Sequence, residues 1–368
     1  MQPIAAPLLQ WFYANKRLLP FRQEPSAYHI WVSEIMLQQT RMTAAVPYYN
    51  RFIAALPDPA ALAACPTDAL RKLWQGLGYY NRVNNMQKAA RIVCEQYGGE
   101  LPADYAALRA LPGIGDYTAG AIASIAFGLP VPAVDGNVLR VFARLYNDDA
   151  DIMTPAARRL FTGRVIDQMP KDTPGAYNEA LMELGALVCI PGAPHCETCP
   201  LQPLCQGCAA GRADKLPVKP APKEKRTVPV TVALISSEQG LLLQRRPAKG
   251  LLAGLWQPAA WESALTREQL QAELEKLGVH ATLGESLPPA KHVFTHRIWQ
   301  LGGWQGTAPA APLPAGYVWA APNQLAEVYP IPNAFAAYPR HSCASGHISH
   351  RGAPGTQTSA PSSISASL

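Results

Sequence analysis

The sequence has no apolar run long enough to cross a bilayer as a helix, which excludes a helical membrane span. Its first ten residues, Met1–Gln10, carry neither a basic start nor a clear cleavage site, so a secretory signal is not expected and the protein reads as cytoplasmic. No alternating, period-two hydrophobic pattern occurs before residue 212, which argues against a sheet in the first half and predicts an all-α domain there. Cysteines are sparse outside one short block. Four of the eight crowd together there, with Cys208 just beyond. In a cytoplasmic chain such crowding favours a metal or cluster over disulfides.

What is present bounds the rest. The 368 residues suffice for two domains with their own cores, and 48% hydrophobic content fits a globular chain. A net charge of +6 makes a polyanionic partner plausible without compelling one.

The most informative stretch is Leu111–Gly120. A short helical pattern, Ala103–Ala110, is stopped by Pro112, which has no N–H to continue the ladder. Gly113 and Gly115 permit a tight, bare turn before a second helix of small residues, Tyr117–Phe127. Such a hairpin is either an ordinary helical corner or an anion site, with backbone N–H groups aimed outward at a helix N-terminus. Upstream, Tyr28–Met42 predicts one strong helix, with Glu34 and Gln38 one turn apart on an otherwise apolar face. Glu34 is there either a rim carboxylate neutralised by a distant cation or a functional group. Pro47, Pro57, Pro59, Pro66 and the Gly76/Gly78 and Gly98/Gly99 pairs are expected to break the helices that follow. The loop Gly76–Arg82 joins two glycines, two tyrosines and an arginine, suited to capping a helix or to stacking against bases. Asp135, before Gly136-Asn137, reads as an N-cap, which is also a fixed carboxylate at a helix end.

Cys189-x6-Cys196-x2-Cys199-x5-Cys205 can close round one metal centre. Ligand type alone allows zinc, with a cubane iron–sulfur cluster as the alternative. Cys65, Cys94, Cys208 and Cys343 read as ordinary thiols. A Pro-, Lys- and Arg-rich linker follows. Strands are then predicted at Val228–Ile235, Leu241–Gln244, Val293–Leu301 and Tyr317–Trp319, with a helix at Thr266–Leu277, giving a separate α+β domain. Residues 333–368 lack periodicity and are expected to be disordered.

Together, Ser33–Thr40, Gly76–Tyr80, Leu111–Gly120, Val134–Asn137 and the cysteine block resemble the MutY-type adenine DNA glycosylases of the endonuclease III, helix-hairpin-helix superfamily. The resemblance spans roughly residues 1–332. It implies a multi-domain protein. Residues 1–211 would form the helix-hairpin-helix glycosylase domain, with a six-helix part at about 22–130 and a cluster part from 1–21 plus 131–211. Residues 212–227 would be the linker and 228–332 a Nudix-like 8-oxoguanine recognition domain. In that superfamily the cysteine spacing holds one 4Fe–4S cluster, and this implication replaces zinc, with Cys189, Cys196, Cys199 and Cys205 as ligands. The implied substrate is double-stranded DNA with adenine opposite 8-oxoguanine or guanine. The implied setting is a bacterial nucleoid, with a monomer that interacts with replication or mismatch-repair proteins.

Residue by residue, Glu34 matches the acid that protonates adenine N7, and Asp135 the ionised carboxylate that stabilises the sugar cation. Tyr117 and Asn137 match positions around the sugar and the carboxylates. Gln38 and Tyr79 match residues that insert into the duplex while adenine leaves the stack. Gly113 and Gly115 belong to the DNA-binding hairpin. Bifunctional members carry lysine where Tyr117 stands, so a monofunctional glycosylase is implied. The Nudix hydrolase box is missing around Gln271–Gly278. The family's Phe-Ser-His reading loop is Phe294-Thr295-His296 here, and threonine keeps the hydroxyl. Rival readings are an endonuclease III-like lyase acting on oxidised pyrimidines, opposed by Tyr117, and a non-catalytic DNA-binding redox sensor, opposed by the Glu34–Asp135 pair. A nucleotide pyrophosphatase fails on the missing box.

Overall fold

The computed structural model describes residues 2–23, 25–221 and 224–338. The first half is helical. It comprises α1 (Ala5–Asn15), α2 (Pro20–Gln23), α3 (Ala27–Leu37), α4 (Met42–Ala55), α5 (Pro59–Ala64), α6 (Thr67–Leu73), α7 (Asn81–Gln96), α8 (Tyr105–Ala110) and α9 (Asp116–Phe127). These are followed by α10 (Gly136–Leu145), α11 (Pro155–Asp167), α12 (Pro174–Leu187) and α13 (Gln206–Ala209). No described helix is long and apolar enough to cross a membrane.

The predicted helix Tyr28–Met42 is in fact two elements. Ser26 caps α3 by accepting from His29 N–H at 3.1 Å, but the helix ends at Leu37. Gln39 adopts φ +59°, which a right-handed helix cannot contain, and α4 starts at Met42. Gln38 is thus the C-cap of α3 rather than a residue within it. The expected break at Pro47 is absent, because Pro47 lies exposed within α4 and the carbonyl it leaves unpaired, that of exposed Thr43, faces water.

Two helical cores form. One gathers Trp31, Phe52, Trp74, Val83 and Ile122 from α3 to α9. The other gathers Leu8, Val138, Phe142, Phe161, Tyr177 and Leu184 from α1 and α10 to α12. Leu19 and Phe21 belong to the first core, so the helical division falls slightly upstream of residue 22. Small residues let the two parts close. A Cβ on Gly120 would stand 2.0 Å from the Pro132 carbonyl oxygen, and one on Gly185 would stand 2.6 Å from Asn137 Cβ.

The second half is a seven-stranded sheet ordered β4-β6-β1-β3-β2-β7, with β5 also on β6. Its strands are β1 (Arg226–Ser237), β2 (Gly240–Arg245), β3 (Trp256–Trp261), β4 (Thr282–Ser286), β5 (Ala290–Val293), β6 (Arg297–Thr307) and β7 (Tyr317–Ala320). Among the described residues only β1 and β6 pair in parallel. Alternate residues of β1 feed cores on opposite faces: Val230, Val232 and Leu234 on one, Ala233 and Ile235 on the other. Helix α14 (Arg267–Lys276) covers the second face through Leu270 and Leu274, and α15 (Pro322–Glu327) the first through Leu325. The predicted strand Val293–Leu301 is a hairpin instead, closed where Phe294 N–H donates to the Arg297 carbonyl at 2.9 Å. Strand β3 escaped prediction because Pro258 and two alanines blur its alternation.

The linker begins as a strap rather than a free tether. Leu216 is buried, and its carbonyl accepts from Arg144 Nε at 2.9 Å. The last turn of α6 and the residues after it grip the second domain by its carbonyls. Arg71 donates to Gly254 (2.9 Å), Lys72 to Leu325 (3.0 Å) and Gln75 to Ile331 (3.0 Å). Leu255 sits inside the first helical core.

The expected disordered tail needs a corrected start. Asn333–Phe335 is a 3-10 turn, and Ala334, Phe335 and Tyr338 are buried on the sheet beside Trp299. Residues 339–368, the rest of that segment, lie outside the described residues. Phe335→Ala should lower the stability of the second domain by about 3 kcal/mol, read as an earlier unfolding transition in calorimetry; an unchanged transition would mean the segment contributes nothing.

Candidate active site

Glu34 comes from α3 in the first core and Asp135 from the start of α10 in the second. They meet in a cleft of about 1050 Å³ between the two cores, which Gln38, Tyr117, Asn137, Arg22 and Glu179 also line. The two carboxyls are held differently. Asp135 Oδ1 accepts from Asn137 N–H and Val138 N–H, both at 2.8 Å, and its Oδ2 accepts from Asn137 Nδ2 at 2.7 Å. Enclosure by protein raises its pKa on balance, and these three donors limit the rise by favouring the anion. Glu34 is buried and receives one side-chain donor, the Tyr117 hydroxyl. Burial, with the negative charges of Asp135 and Glu179, raises it to about 7 despite Tyr117 and Arg22. One site thus holds a carboxyl with a single hydroxyl donor beside a carboxyl whose three donors favour its charged form. Tyr117 also contacts Met182 Sδ at 3.1 Å, and burial raises its own pKa well above normal.

An ion network closes one side of the cleft. Arg22 donates to Glu179 at 2.9 Å and to Glu183 at 3.0 Å, and Arg17 Nε donates to Glu183 at 2.7 Å. Burial would push Glu183 up, but Arg17 and Arg22 take it down to about 2. No local pattern marked these four residues, because their contacts span more than 150 positions of chain.

The hairpin Leu111–Gly115 joins α8 to α9 as predicted, with one difference. Gly113 needs its φ of +80°, whereas Gly115 is extended at φ −92°. Nothing lies within 4 Å of a Cβ built on Gly115, so its bareness leaves room for an approaching backbone. The first N–H groups of α9 have no side-chain cap. Gln38 stands at the α3 terminus, 3.4 Å from Thr118 Oγ1. Tyr79 is half exposed at φ +46°. Phe294 packs edge-on against Trp299 (4.9 Å) and His292 (4.6 Å), while Thr295 and His296 are exposed at the hairpin tip. The hydroxyls of Tyr79 and Thr295 meet at 3.0 Å, so the structure brings one loop from each domain together.

Cys189, Cys196, Cys199 and Cys205 line one apolar-walled pocket with Val141, Leu184 and Leu201, and none is in a disulfide. Cys208, read as an ordinary thiol, lines it too. Burial pushes Cys196 to about 11 and Cys199 to about 12. Among the described residues no three Cys, His, Asp or Glu side chains converge closely enough for a single metal ion. The donor set, four unpaired thiols around one pocket, fits a wider sulfur-ligated group. Arg144 Nη1 lies 3.3 Å from Cys189 Sγ. Arg140 joins the two sites, donating to Asn137 Oδ1 at 2.8 Å and to the Cys189 carbonyl at 2.7 Å. Cys343 lies outside the described residues.

Two helical cores flanking a carboxylate cleft, with a bare hairpin leading into the helix that carries Tyr117, define a DNA base-excision glycosylase of the helix-hairpin-helix class. Residues 32–164 match the HhH-GPD superfamily of base excision DNA repair proteins, and residues 230–339 match a NUDIX domain. The solved structure of a thermostable thymine-DNA glycosylase superposes with a TM-score of 0.52 at 26% identity, covering 56% of this chain and 95% of that one. The human adenine DNA glycosylase is 33% identical over 85% of this chain and 69% of its own. That of Buchnera aphidicola from Acyrthosiphon pisum is 30% identical over 79% and 83%. The chain belongs to the adenine DNA glycosylase family.

The raised pKa of Glu34 has a stability consequence. Between about pH 4.5 and 7 the folded state binds a proton that the unfolded state has lost, so stability falls as pH rises through that window. Above pH 7 the whole penalty is present, up to about 3 kcal/mol. Glu34→Gln should therefore raise the melting temperature at pH 8 and leave it nearly unchanged at pH 4.5; equal effects at both would contradict the shift.

Proposed function

We propose that the protein excises adenine paired with 8-oxoguanine or guanine, as a monofunctional base-excision repair glycosylase. The observation that carries this reading is the unequal carboxyl pair. Adenine reaching the cleft, at a cost of a few kcal/mol for leaving the stack, meets Glu34 as an acid. Glu34 gives its proton to N7, and the electrons of the C1′–N9 bond leave with the base. The sugar cation that develops is faced by Asp135, held anionic by Asn137 and the α10 N-terminus. Water adds at C1′, and its released proton restores Glu34. Tyr117 occupies the position where a nucleophilic amine would have to stand, so no Schiff base forms there.

Gln38 and Tyr79 would fill the gap left in the duplex. The contact between Tyr79 and Thr295 supports reading the opposite base jointly, one loop from each domain, with Phe294 and His296 flanking the Thr295 hydroxyl. Gly113 and Gly115 would admit a phosphate to the α9 N-terminus. The four cysteines would hold one 4Fe–4S cluster, which when bound would tie the loop 189–205 together. Through Arg140 and Arg144 that loop supports the helix carrying Asp135 and Asn137. We place the reaction in the cytoplasm, on chromosomal DNA.

Single-turnover adenine release should be fast opposite 8-oxoguanine, slower opposite guanine and slowest opposite thymine, and Glu34→Gln should abolish it while duplex affinity persists. Equal release opposite all three bases would refute the joint reading of the opposite base. The rate should fall about tenfold per pH unit above pH 7, because only protonated Glu34 acts, and should fall again on the acid side, where Asp135 takes up a proton; a rate rising through pH 7 would remove Glu34 as the acid. Iron and acid-labile sulfide analysis should give four of each per chain and near zero for Cys199→Ser.

A further inference from the structure

Two loops proposed to enter the duplex leave the protein at different points in the chain, and one half-buried side chain holds both. Arg82 Nη1 donates to the carbonyls of Ile35 (2.8 Å), Met36 (3.1 Å) and Gln38 (2.6 Å), the exit of α3. Its Nη2 donates to the carbonyls of Leu77 (3.0 Å) and Gly78 (3.2 Å), the loop that presents Tyr79. The guanidinium also lies over the rings of Trp74 and Tyr79, at 5.1 and 5.6 Å.

Each loop contains a non-glycine residue in the left-handed region, Gln39 at φ +59° and Tyr79 at φ +46°. Such conformations cost about 1–2 kcal/mol each and persist only where the surroundings enforce them. Arg82 is itself placed at a cost. It sits in the first turn of α7, where a cation opposes the helix dipole. Among the described residues no carboxylate pairs with it, and burial lowers its pKa to about 10. Burying a cation among carbonyl dipoles, at an unfavourable helix end, suits a rigid fork that must grip two backbones at once. A lysine, with one point of charge, cannot span them.

We propose that Arg82 is the positioning residue of base extrusion: it locks the Gln38 and Tyr79 loops in one fixed relation, so that both enter the duplex together. This rests on the wedge roles proposed for Gln38 and Tyr79. Arg82 touches neither Glu34 nor Asp135 through any of its hydrogen bonds. It therefore acts before bond cleavage, on the step that moves the base.

The test uses the full chain and a duplex with 2-aminopurine as the target base opposite 8-oxoguanine. That base brightens when it leaves the stack, and with Glu34→Gln added to block cleavage the signal reads extrusion apart from excision. Arg82→Lys keeps the charge and serves as the conservative variant, and Arg82→Gln removes it. Both should cut the extrusion signal and single-turnover adenine release roughly 10- to 100-fold, with the midpoint of the pH profile left in place. In a Gln38→Ala/Tyr79→Ala background, Arg82→Lys should add almost nothing, because the groups it positions are gone. Losses that multiply in that background would overturn the proposal and make Arg82 merely structural. Full extrusion by Arg82→Lys would overturn it as well. A Gln38→Ala/Tyr79→Ala protein that still extrudes the base would instead defeat the wedge reading itself.

Discussion

The N-terminus of α10 is the constraint on which the site depends. Asp135 ends an extended segment and caps the helix with its own carboxylate, so both its position and its charge come from the same two backbone N–H groups. Because a helix repeats every 3.6 residues, Asn137, Arg140 and Arg144 rise from that start at spacings that let one reach the next. Asn137 completes the cap. Arg140 ties Asn137 to the Cys189 carbonyl, and Arg144 reaches the Cys189 sulfur and the strap at Leu216. The carboxylate cannot shift without disturbing a buried polar chain that ends in the cysteine loop.

Glu34 gets its character from the opposite source. Its helix is nearly all apolar and buried, so the carboxyl has lost water and gained one hydroxyl donor. Desolvation, with two like charges nearby, outweighs that donor and the Arg22 charge. The two helical cores therefore do more than stabilise a fold. One supplies an apolar setting that raises the Glu34 carboxyl and the other a polar cap whose donors favour the Asp135 anion, and the cleft between them is where the two settings touch.

The second domain is docked by side chains that precede the Tyr79 loop directly in sequence. Arg71, Lys72 and Gln75 give their hydrogen bonds to carbonyls of the sheet domain, and Leu255 enters the helical core. The hairpin tip at Thr295 is thereby held against Tyr79. These contacts to neutral carbonyls are less sensitive to salt than the Arg245–Asp68 ion pair, 3.5 Å, that also crosses the junction.

Much of this was legible in the sequence because it is local. Turn residues, a cap and a spaced cysteine block are written in short windows, so the hairpin, the Asp135 cap, the all-α first half and the strands of β1 and β2 could be read directly. The family motifs carried the site residues Glu34, Asp135, Tyr117 and Asn137. Local reading failed where long-range packing overrode it. One helix became two at Gln39, Pro47 stayed inside α4, a strand became the β5–β6 hairpin, and Phe335 was drawn into a core. The sequence by itself determined which residue types and local turns were available, since these follow from backbone chemistry within a few residues. The tertiary structure alone decided that Glu34 loses its water, that Arg17, Arg22, Glu179 and Glu183 form one wall, and that Arg82 grips two loops. Those facts depend on which distant segments share a neighbourhood, and burial and charge act through space rather than along the chain.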